Sequence, residues 1–166
     1  YRKKAWTEIT TVPAKVKKVG VVGAGVMGGG IAQLLAKKNI VCRIKDLNHG
    51  ALGLALKTAK KLFAYQLKTR RMKQGQVDAQ MSLISPTTTY TGFENVDVVI
   101  EAVVERMDVK KQVFRELDEV VQPDACLFTN TSSLRVTEMA ESTNRPEKVC
   151  GFHFFNPVHR MPLVEI

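Results

Sequence analysis

The fold is decided by residues 18–46, KVGVVGAGVMGGGIAQLLAKKNIVCRIKD. A short β-branched run leads into a glycine-rich turn, and an apolar segment then ends at two lysines and Asn39. A second β-branched run follows and ends at Asp46. The pattern predicts a strand, a tight turn, a helix and a second strand, which together form one βαβ unit of about thirty residues.

The turn carries the spacing G-x-G-x-x-G at Gly23, Gly25 and Gly28. This motif is weak alone, but here a predicted strand precedes it and a predicted helix follows it. In that setting the first glycine permits a tight turn, the second lets backbone approach a pyrophosphate, and the third lets helix and strand pack closely. The free N–H groups and the positive dipole end of the helix favour phosphate. The turn therefore predicts a dinucleotide site.

Asp46 ends the second strand, where a carboxylate accepts hydrogen bonds from the ribose 2′-hydroxyl of a dinucleotide. Its negative charge disfavours a 2′-phosphate, so the sequence predicts NAD rather than NADP. The neighbouring cations Arg43 and Lys45 argue in the opposite direction. A glycine turn that serves packing alone is the structural alternative.

The rest of the chain continues the alternation of strands and helices. We predict a long basic helix over 49–74 that ends near Gly75, a shorter helix over about 77–84, and a short strand at SPTTTY. Further strands are predicted at VDVVIEAV, CLFTN, KVCGFHFF and PLVEI, and further helices at RMDVKKQVFRELDEVVQP and RVTEMAEST. The pattern predicts a Rossmann-type, doubly wound α/β fold, with a mostly parallel sheet and a C-terminal antiparallel strand.

Composition narrows the class of protein. The 166 residues are 45% hydrophobic and 25% charged, which is typical of one globular domain. The three cysteines lack CxxC spacing, so we expect no metal site and a reducing intracellular compartment, namely cytoplasm, peroxisome or mitochondrial matrix. The uncharged run 19–36 is long enough to span a membrane, but its six glycines argue against a lone apolar helix, so no transmembrane segment is expected.

The net charge of +9 is unevenly placed. No acidic residue occurs between Leu47 and Val77, whereas seven cations do. Such a block is either a solvated helix face or a surface that attracts a polyanion. Nucleic acid is not expected, because the block lacks interleaved aromatic residues and no nucleic-acid-binding motif accompanies it. A phosphorylated small molecule remains open.

His153 is the strongest candidate for acid–base chemistry. If NPVHR is the loop of a symmetric hairpin, His153 faces Glu165 across the strands. A carboxylate on one ring nitrogen fixes the tautomer and makes the other nitrogen a better base. Strand alternation in VCGFHFF points Cys150 away from the imidazole, and His159 falls at the exposed loop centre. A core or surface role for His153 is the alternative.

Two further segments end predicted strands at the same sheet edge, where open α/β sheets bind ligands. NTSS, residues 130–133, follows one strand, and either serine is equally well the N-cap of the next helix. Glu105 follows another strand and is equally well an ordinary acid at a helix start.

Four segments, in this order, resemble the NAD-binding domain of L-3-hydroxyacyl-CoA dehydrogenases: VGVVGAGVMGGGIAQ, VDVVIEAVVE, TNTSSL and GFHFFNPVHRMPLVEI. The resemblance covers roughly residues 16–166 and is greatest to the version in multifunctional fatty-acid β-oxidation enzymes. It implies oxidation of an acyl-CoA substrate, with His153 as catalytic base, Glu165 as its partner, and Ser132 bonding the substrate oxygen. The cofactor contacts that it implies are Gly23, Gly25, Val26, Met27, Gly28, Asp46, Ala102, Val103, Glu105, Lys110 and Asn130.

The resemblance also implies neighbours along the chain. An enoyl-CoA hydratase domain precedes the dehydrogenase in the multifunctional version, so we expect residues 1–15 to be a basic linker. A helical domain that completes the active site and carries much of the dimer contact would follow. The 3′-phospho-ADP of coenzyme A is a polyanion, and Lys57, Lys60 and Lys61 are its expected partners. Two alternatives stay open: a module that binds NAD or coenzyme A without turnover, and a dehydrogenase of another hydroxy acid.

Overall fold

A computed structural model describes residues 15–166. The predicted basic linker lies outside the described residues, except for Lys15. None of the helices in the described range is both long enough and apolar enough to cross a membrane.

Six parallel strands form the central sheet in the order β3-β2-β1-β4-β5-β6. This is the Rossmann order, with the direction of winding reversed between β1 and β4. All four residues of β4 are buried, as the continuous apolar run predicts for a strand covered on both faces. The strands are β1 Lys18–Val22, β2 Val41–Lys45, β3 Ile84–Thr87, β4 Val98–Glu101, β5 Cys126–Thr129 and β6 Val149–Gly151.

Helices cover both faces of the sheet and enclose two apolar cores. One core joins the sheet to α1 and α2 through residues such as Ile31 and Phe63. The other joins it to α4 through Phe93, Phe114 and Leu117. The predicted fold class is therefore confirmed. The α-helices are α1 Val26–Lys37, α2 His49–Lys68, α3 Gln74–Met81, α4 Met107–Val120 and α5 Val136–Ala140.

The predicted end of the basic helix near Gly75 is wrong. α2 ends at Lys68, where the Thr69 hydroxyl donates to the backbone carbonyls of Tyr65 and Gln66. Arg70 then takes a left-handed conformation with φ of 56°, a position that glycine usually occupies. Gly75 lies inside α3, so the glycine that the prediction used as a stop signal belongs to the first turn of the next helix instead.

The predicted single strand KVCGFHFF is also wrong, because the chain leaves the sheet after β6. The Phe152 N–H still donates to the Thr129 carbonyl at 2.8 Å, but the Phe154 N–H donates to the side chain of Asn130, also at 2.8 Å. That side chain ends the parallel ladder. A separate antiparallel hairpin follows, formed by β7 His153–Phe154 and β8 Val164–Glu165.

Candidate active site and cofactor cavity

The glycine turn has the geometry that its spacing predicts. Gly23 adopts φ of 99°, and a Cβ added there would lie 2.5 Å from the Ala102 carbonyl oxygen. A Cβ on Gly28 would lie 1.8 Å from the Gly23 carbonyl oxygen, so this glycine lets the helix approach the turn itself. A Cβ on Gly25 would meet nothing within 4 Å. That open space is where ligand can reach the backbone.

α1 presents an uncapped N-terminus to this space. Its N-cap is Gly25, which has no side chain to bond the free N–H groups, and its first turn contains no acid. These N–H groups and the positive end of the helix dipole suit a pyrophosphate. The residues present therefore fit the phosphates of a dinucleotide.

Asp46 is held at the turn by two backbone bonds. Its Oδ2 accepts the Ala24 N–H at 2.8 Å, and its Oδ1 accepts the Asn48 N–H at 3.0 Å. Each carboxylate oxygen keeps a lone pair for a further donor. The predicted role of Asp46 as partner of the ribose hydroxyls stays a prediction with compatible geometry.

Two cavities meet at the carboxyl edge of the sheet. The larger, of about 790 Å³, runs from the glycine turn and Asp46 along one face of α4. The smaller, of about 330 Å³, is lined by Asn130, Ser132 and His153 among others. Met27, Ala102 and Val103 line both cavities, so the two cavities adjoin, and together we call them the groove.

His153 and Glu165 pair across the hairpin, in the register that the symmetric loop predicts. His153 Nδ1 lies 3.1 Å from Glu165 Oε2, and the imidazole stacks at a tilt on Phe155 with 4.7 Å between ring centroids. The histidine side chain is 23% exposed. His159 is exposed on the loop and lines neither cavity, whereas His153 lines the smaller one.

A buried ionic network lies beneath the groove. Lys110, 1% exposed, donates to Glu101 Oε1 at 2.7 Å and lies 3.3 Å from Glu105 Oε2. Glu101 is fully buried and also accepts the Thr129 hydroxyl and the Val103 N–H, both at 2.7 Å. The network thus ties the ends of β4 and β5 to α4.

Glu105 carries this network to the loop after β5. Its Oε1 accepts the Thr131 hydroxyl and, at 3.0 Å, the Ser132 N–H. Burial alone raises the pKa of Glu105, but these two donors and the Lys110 ammonium outweigh it and hold that pKa below its usual value. Glu105 is therefore a carboxylate at neutral pH and fixes the backbone of Ser132.

The sequence of the chain matches a known protein family. Residues 18–166 match the model of the 3-hydroxyacyl-CoA dehydrogenase NAD-binding domain. The chain belongs to this family. NAD is accordingly the cofactor of the domain.

Solved structures of relatives support the membership of the chain in this family. The chain is 34% identical to 3-hydroxybutyryl-CoA dehydrogenase from Escherichia coli K12, over 91% of this chain and 32% of that one, with a TM-score of 0.87. It is 36% identical to FadB2 of M. tuberculosis, over 91% and 53% of the two chains, with a TM-score of 0.87. The dehydrogenase part of multifunctional enzyme 1 from C. elegans is 26% identical over 92% and 35%, with a TM-score of 0.80.

These three relatives differ in their similarity to the chain and are all longer than it. Identity is lower to the multifunctional enzyme than to the other two, so these relatives do not favour the multifunctional version. The chain spans 32% to 53% of the length of these structures.

The family's predicted site residues fall into two groups. One group lines the groove: Gly23, Gly25, Val26, Met27, Asp46, Ala102, Val103, Glu105, Asn130, Ser132 and His153. Gly28 and Glu165 line neither cavity, and each acts through a neighbour, Gly28 by packing on the turn and Glu165 by pairing with His153. Lys110 lines neither cavity, and its ammonium is used by two carboxylates, so its predicted contact with the cofactor stays a prediction. Lys57, Lys60 and Lys61 are exposed on α2 and likewise line neither cavity.

Sequence reasoning missed Glu101 and Thr131. Apart from Asp97 near its start, the apolar run VDVVIEAV contains one charged residue, Glu101. A charged residue within a strand predicted to be buried is expected to have a partner, and this signal could have identified Glu101. The alternative that a serine caps α5 is wrong, because the N-cap is Arg135 and the Leu134 N–H donates to the Thr131 hydroxyl. Among the described residues, no cluster of three or more metal-ligating side chains occurs.

Proposed function

We propose that the protein containing this domain oxidises (3S)-3-hydroxyacyl-CoA to 3-ketoacyl-CoA with NAD, as a step of fatty-acid β-oxidation. The observation that carries the proposal is the His153–Glu165 pair, whose imidazole lines a cavity that adjoins the larger cavity at the glycine turn. A base oriented by a carboxylate, next to a hydride acceptor, is what oxidation of a secondary alcohol requires. The E. coli relative named for 3-hydroxybutyryl-CoA supports the acyl-CoA class of substrate.

In this proposal, bound NAD supplies the hydride acceptor for C3 of the substrate. His153 takes the hydroxyl proton on Nε2, because its Nδ1 is engaged by Glu165. Glu165 stabilises the imidazolium that forms. Ser132 bonds the same substrate oxygen and orients C3, and its own backbone is held by Glu105.

Substitution of the base tests the reaction. In the complete protein, we expect His153→Gln to lower turnover by about 10² to 10⁴, the usual contribution of a positioned general base, while NADH affinity stays unchanged. The matched control is His159→Gln on the exposed loop, which is expected to keep full turnover. A His153→Gln enzyme with normal turnover and normal NADH binding would refute the role.

We also propose that Lys57, Lys60 and Lys61 attract the 3′-phospho-ADP of coenzyme A. The support is their exposure on a helix that has no acid between His49 and Lys68. Glutamine at each position should raise the KM for acyl-CoA at low salt, and added salt should erase the difference. Lys38→Gln, at the C-terminal end of α1, is the control. Unchanged KM in all three variants would reject the contact.

The proposal extends to the complete polypeptide: a helical domain after this one that closes the site, and an enoyl-CoA hydratase domain before it. The greater length of the relatives supports the first of these. Reading the complete open reading frame tests both. Titration of the 166-residue chain with NADH and then acetoacetyl-CoA separates binding from turnover, because a binding module alone would leave NADH absorbance unchanged.

A further inference from the structure

Lys45 is a buried cation on the floor of the larger cavity. The residue is 6% exposed and lines that cavity next to Asp46. Within the part of the chain that the structure describes, its ammonium makes no ion pair, whereas the similarly buried Lys110 lies on two carboxylates. Burial of a charge without a partner is costly, so a lysine of this kind is expected to have a ligand as its partner.

Tyr90 holds the Lys45 ammonium in place. The ammonium lies 4.2 Å from the centroid of the Tyr90 ring, a cation–π contact. The ring packs edge-on against Phe93, with 5.4 Å between centroids. The Tyr90 hydroxyl donates to Glu116 Oε2 at 2.8 Å, and burial, together with this bond, raises the pKa of the phenol, so the hydroxyl stays a donor. Lys45 and Glu116 are thus fixed through one aromatic ring.

The cavity floor therefore carries a donor and an acceptor. Glu116 lines the cavity, and its Oε1 already accepts the Gln112 side-chain amide at 2.9 Å. An ammonium can only donate hydrogen bonds, and a carboxylate can only accept them. The walls above this floor are apolar and include Val22, Val103 and Val113. Apolar walls around a polar floor suit a flat heteroaromatic ring that presents one hydrogen-bonding edge.

The expected positions of the phosphates and of the ribose place the adenine base of the dinucleotide at this floor. The phosphates belong at the N-terminus of α1, and the adenosine ribose belongs at Asp46, the residue after Lys45. We propose that Lys45 and Glu116 read the edge of the adenine ring, with the ammonium donating to N1 and the carboxylate accepting from the N6 amino group. The inference rests on the cofactor assignment and is independent of the reaction proposed above.

Replacement of adenine by hypoxanthine exchanges the hydrogen-bond donor and acceptor on this edge of the ring. Hypoxanthine has a donor at N1 and an acceptor at O6, so its donor would face the ammonium and its acceptor would face the carboxylate. Both contacts are mismatched, so the buried Lys45 and the half-buried Glu116 are left without partners on the base. A site built on hydrogen bonds discriminates strongly against such an analogue.

The test is a titration of the 166-residue chain with NADH and with reduced nicotinamide hypoxanthine dinucleotide, followed by nicotinamide fluorescence. We expect the hypoxanthine form to bind at least about tenfold more weakly than NADH. Glu116→Gln, whose amide both donates and accepts, should remove the mismatch at position 6 and narrow the difference between the two affinities, while the mismatch of Lys45 at N1 remains. Lys45→Met should weaken NADH binding about tenfold, whereas Lys38→Met, which removes an exposed cation outside the cavity, should not.

Equal binding of the two dinucleotides by the wild-type chain would overturn the proposal without any variant. So would a Lys45→Met chain that binds NADH as tightly as the Lys38→Met control. A wild-type chain that binds neither dinucleotide would refute the cofactor assignment and this proposal together, which is a different result from binding both equally.

Discussion

The glycine turn and the C-terminal hairpin build two parts of one groove in opposite ways. The turn uses backbone: Gly23, Gly25 and Gly28 lie within six residues, where Gly23 and Gly28 allow close packing and Gly25 leaves open space. The hairpin uses side chains: His153 pairs with Glu165 across its two strands, and Asn130, from the loop after β5, accepts the Phe154 N–H. The turn is therefore specified locally, whereas the place of the hairpin beside the sheet depends on a tertiary contact.

The ionic network of Glu101, Lys110 and Glu105 contacts the backbone of both cavities of the groove. Through Glu101 it holds the N–H of Val103, which lines both cavities. Through Glu105 it holds the loop that carries Ser132. Loss of the network should thus affect both cavities, while changes within either cavity should stay local.

The largest expected effect is that of Lys110→Met. It leaves Glu101 buried without its cation, and removal of one partner from a buried pair typically costs about 3–5 kcal/mol. Urea unfolding of the chain measures this as a lowered free energy of unfolding. Addition of Glu101→Gln should recover part of the loss, since glutamine is neutral and still accepts the Val103 N–H.

Arg106→Gln is the matched control for this substitution. Arg106 starts the same helix and pairs with Asp108, but both side chains are about two-thirds exposed, at 67% and 66%. An exposed pair contributes about 0–1 kcal/mol, so the control should unfold almost as the wild type does. A loss below about 1 kcal/mol for Lys110→Met would show that the network does not support both cavities.

A smaller effect should separate two glycines of the same turn. Gly28→Ala places a Cβ 1.8 Å from the Gly23 carbonyl oxygen, which must distort the turn, so we expect a loss of about 1–3 kcal/mol in stability and weaker NADH binding. Gly25→Ala meets no protein atom within 4 Å, so it should weaken NADH binding alone. Thermal unfolding and NADH titration measure the two properties separately.

Gly53→Ala on α2 serves as the control for both glycine variants. A Cβ at this exposed helical position meets nothing within 4 Å, and alanine is favoured over glycine in a helix by about 1 kcal/mol. The control should raise stability and leave NADH affinity unchanged. If Gly25→Ala destabilised the fold as much as Gly28→Ala, the backbone of the turn would not be the ligand-facing surface.

The same contrast explains which structural features the sequence predicted. The alternation of strands and helices, the buried β4 and the glycine turn follow from periodicity and from residues close together in the chain. The end of α2 did not follow from the sequence, because Arg70 takes the left-handed conformation that glycine usually adopts. The break between β6 and β7 did not follow from the sequence either, because it depends on the Asn130 side chain from the loop after β5.

The candidate site divides in the same way. The His153–Glu165 register followed from hairpin symmetry, since both residues belong to one local element. The Glu101–Lys110 pair and the Lys45–Tyr90–Glu116 floor did not, because each joins residues from different elements. Such contacts depend on how helices and loops pack, which periodicity in one segment does not encode.

The smallest expected effect concerns pH and the loop after β5, which carries Ser132. The folded pKa of Glu105 lies below its unfolded value, so its contribution to stability is present above about pH 4.3 and is lost as pH falls through the folded pKa. The Ser132 amide, which donates to this carboxylate, should show an NMR titration with its midpoint below that value. Glu105→Gln should abolish this titration of the Ser132 amide. It should also make the urea concentration at the unfolding midpoint less dependent on pH at acid pH. A midpoint above about pH 4.3, or a titration that survives in Glu105→Gln, would mean that the loop is held by contacts other than this carboxylate, and the contrast with the backbone-built turn would lose its basis.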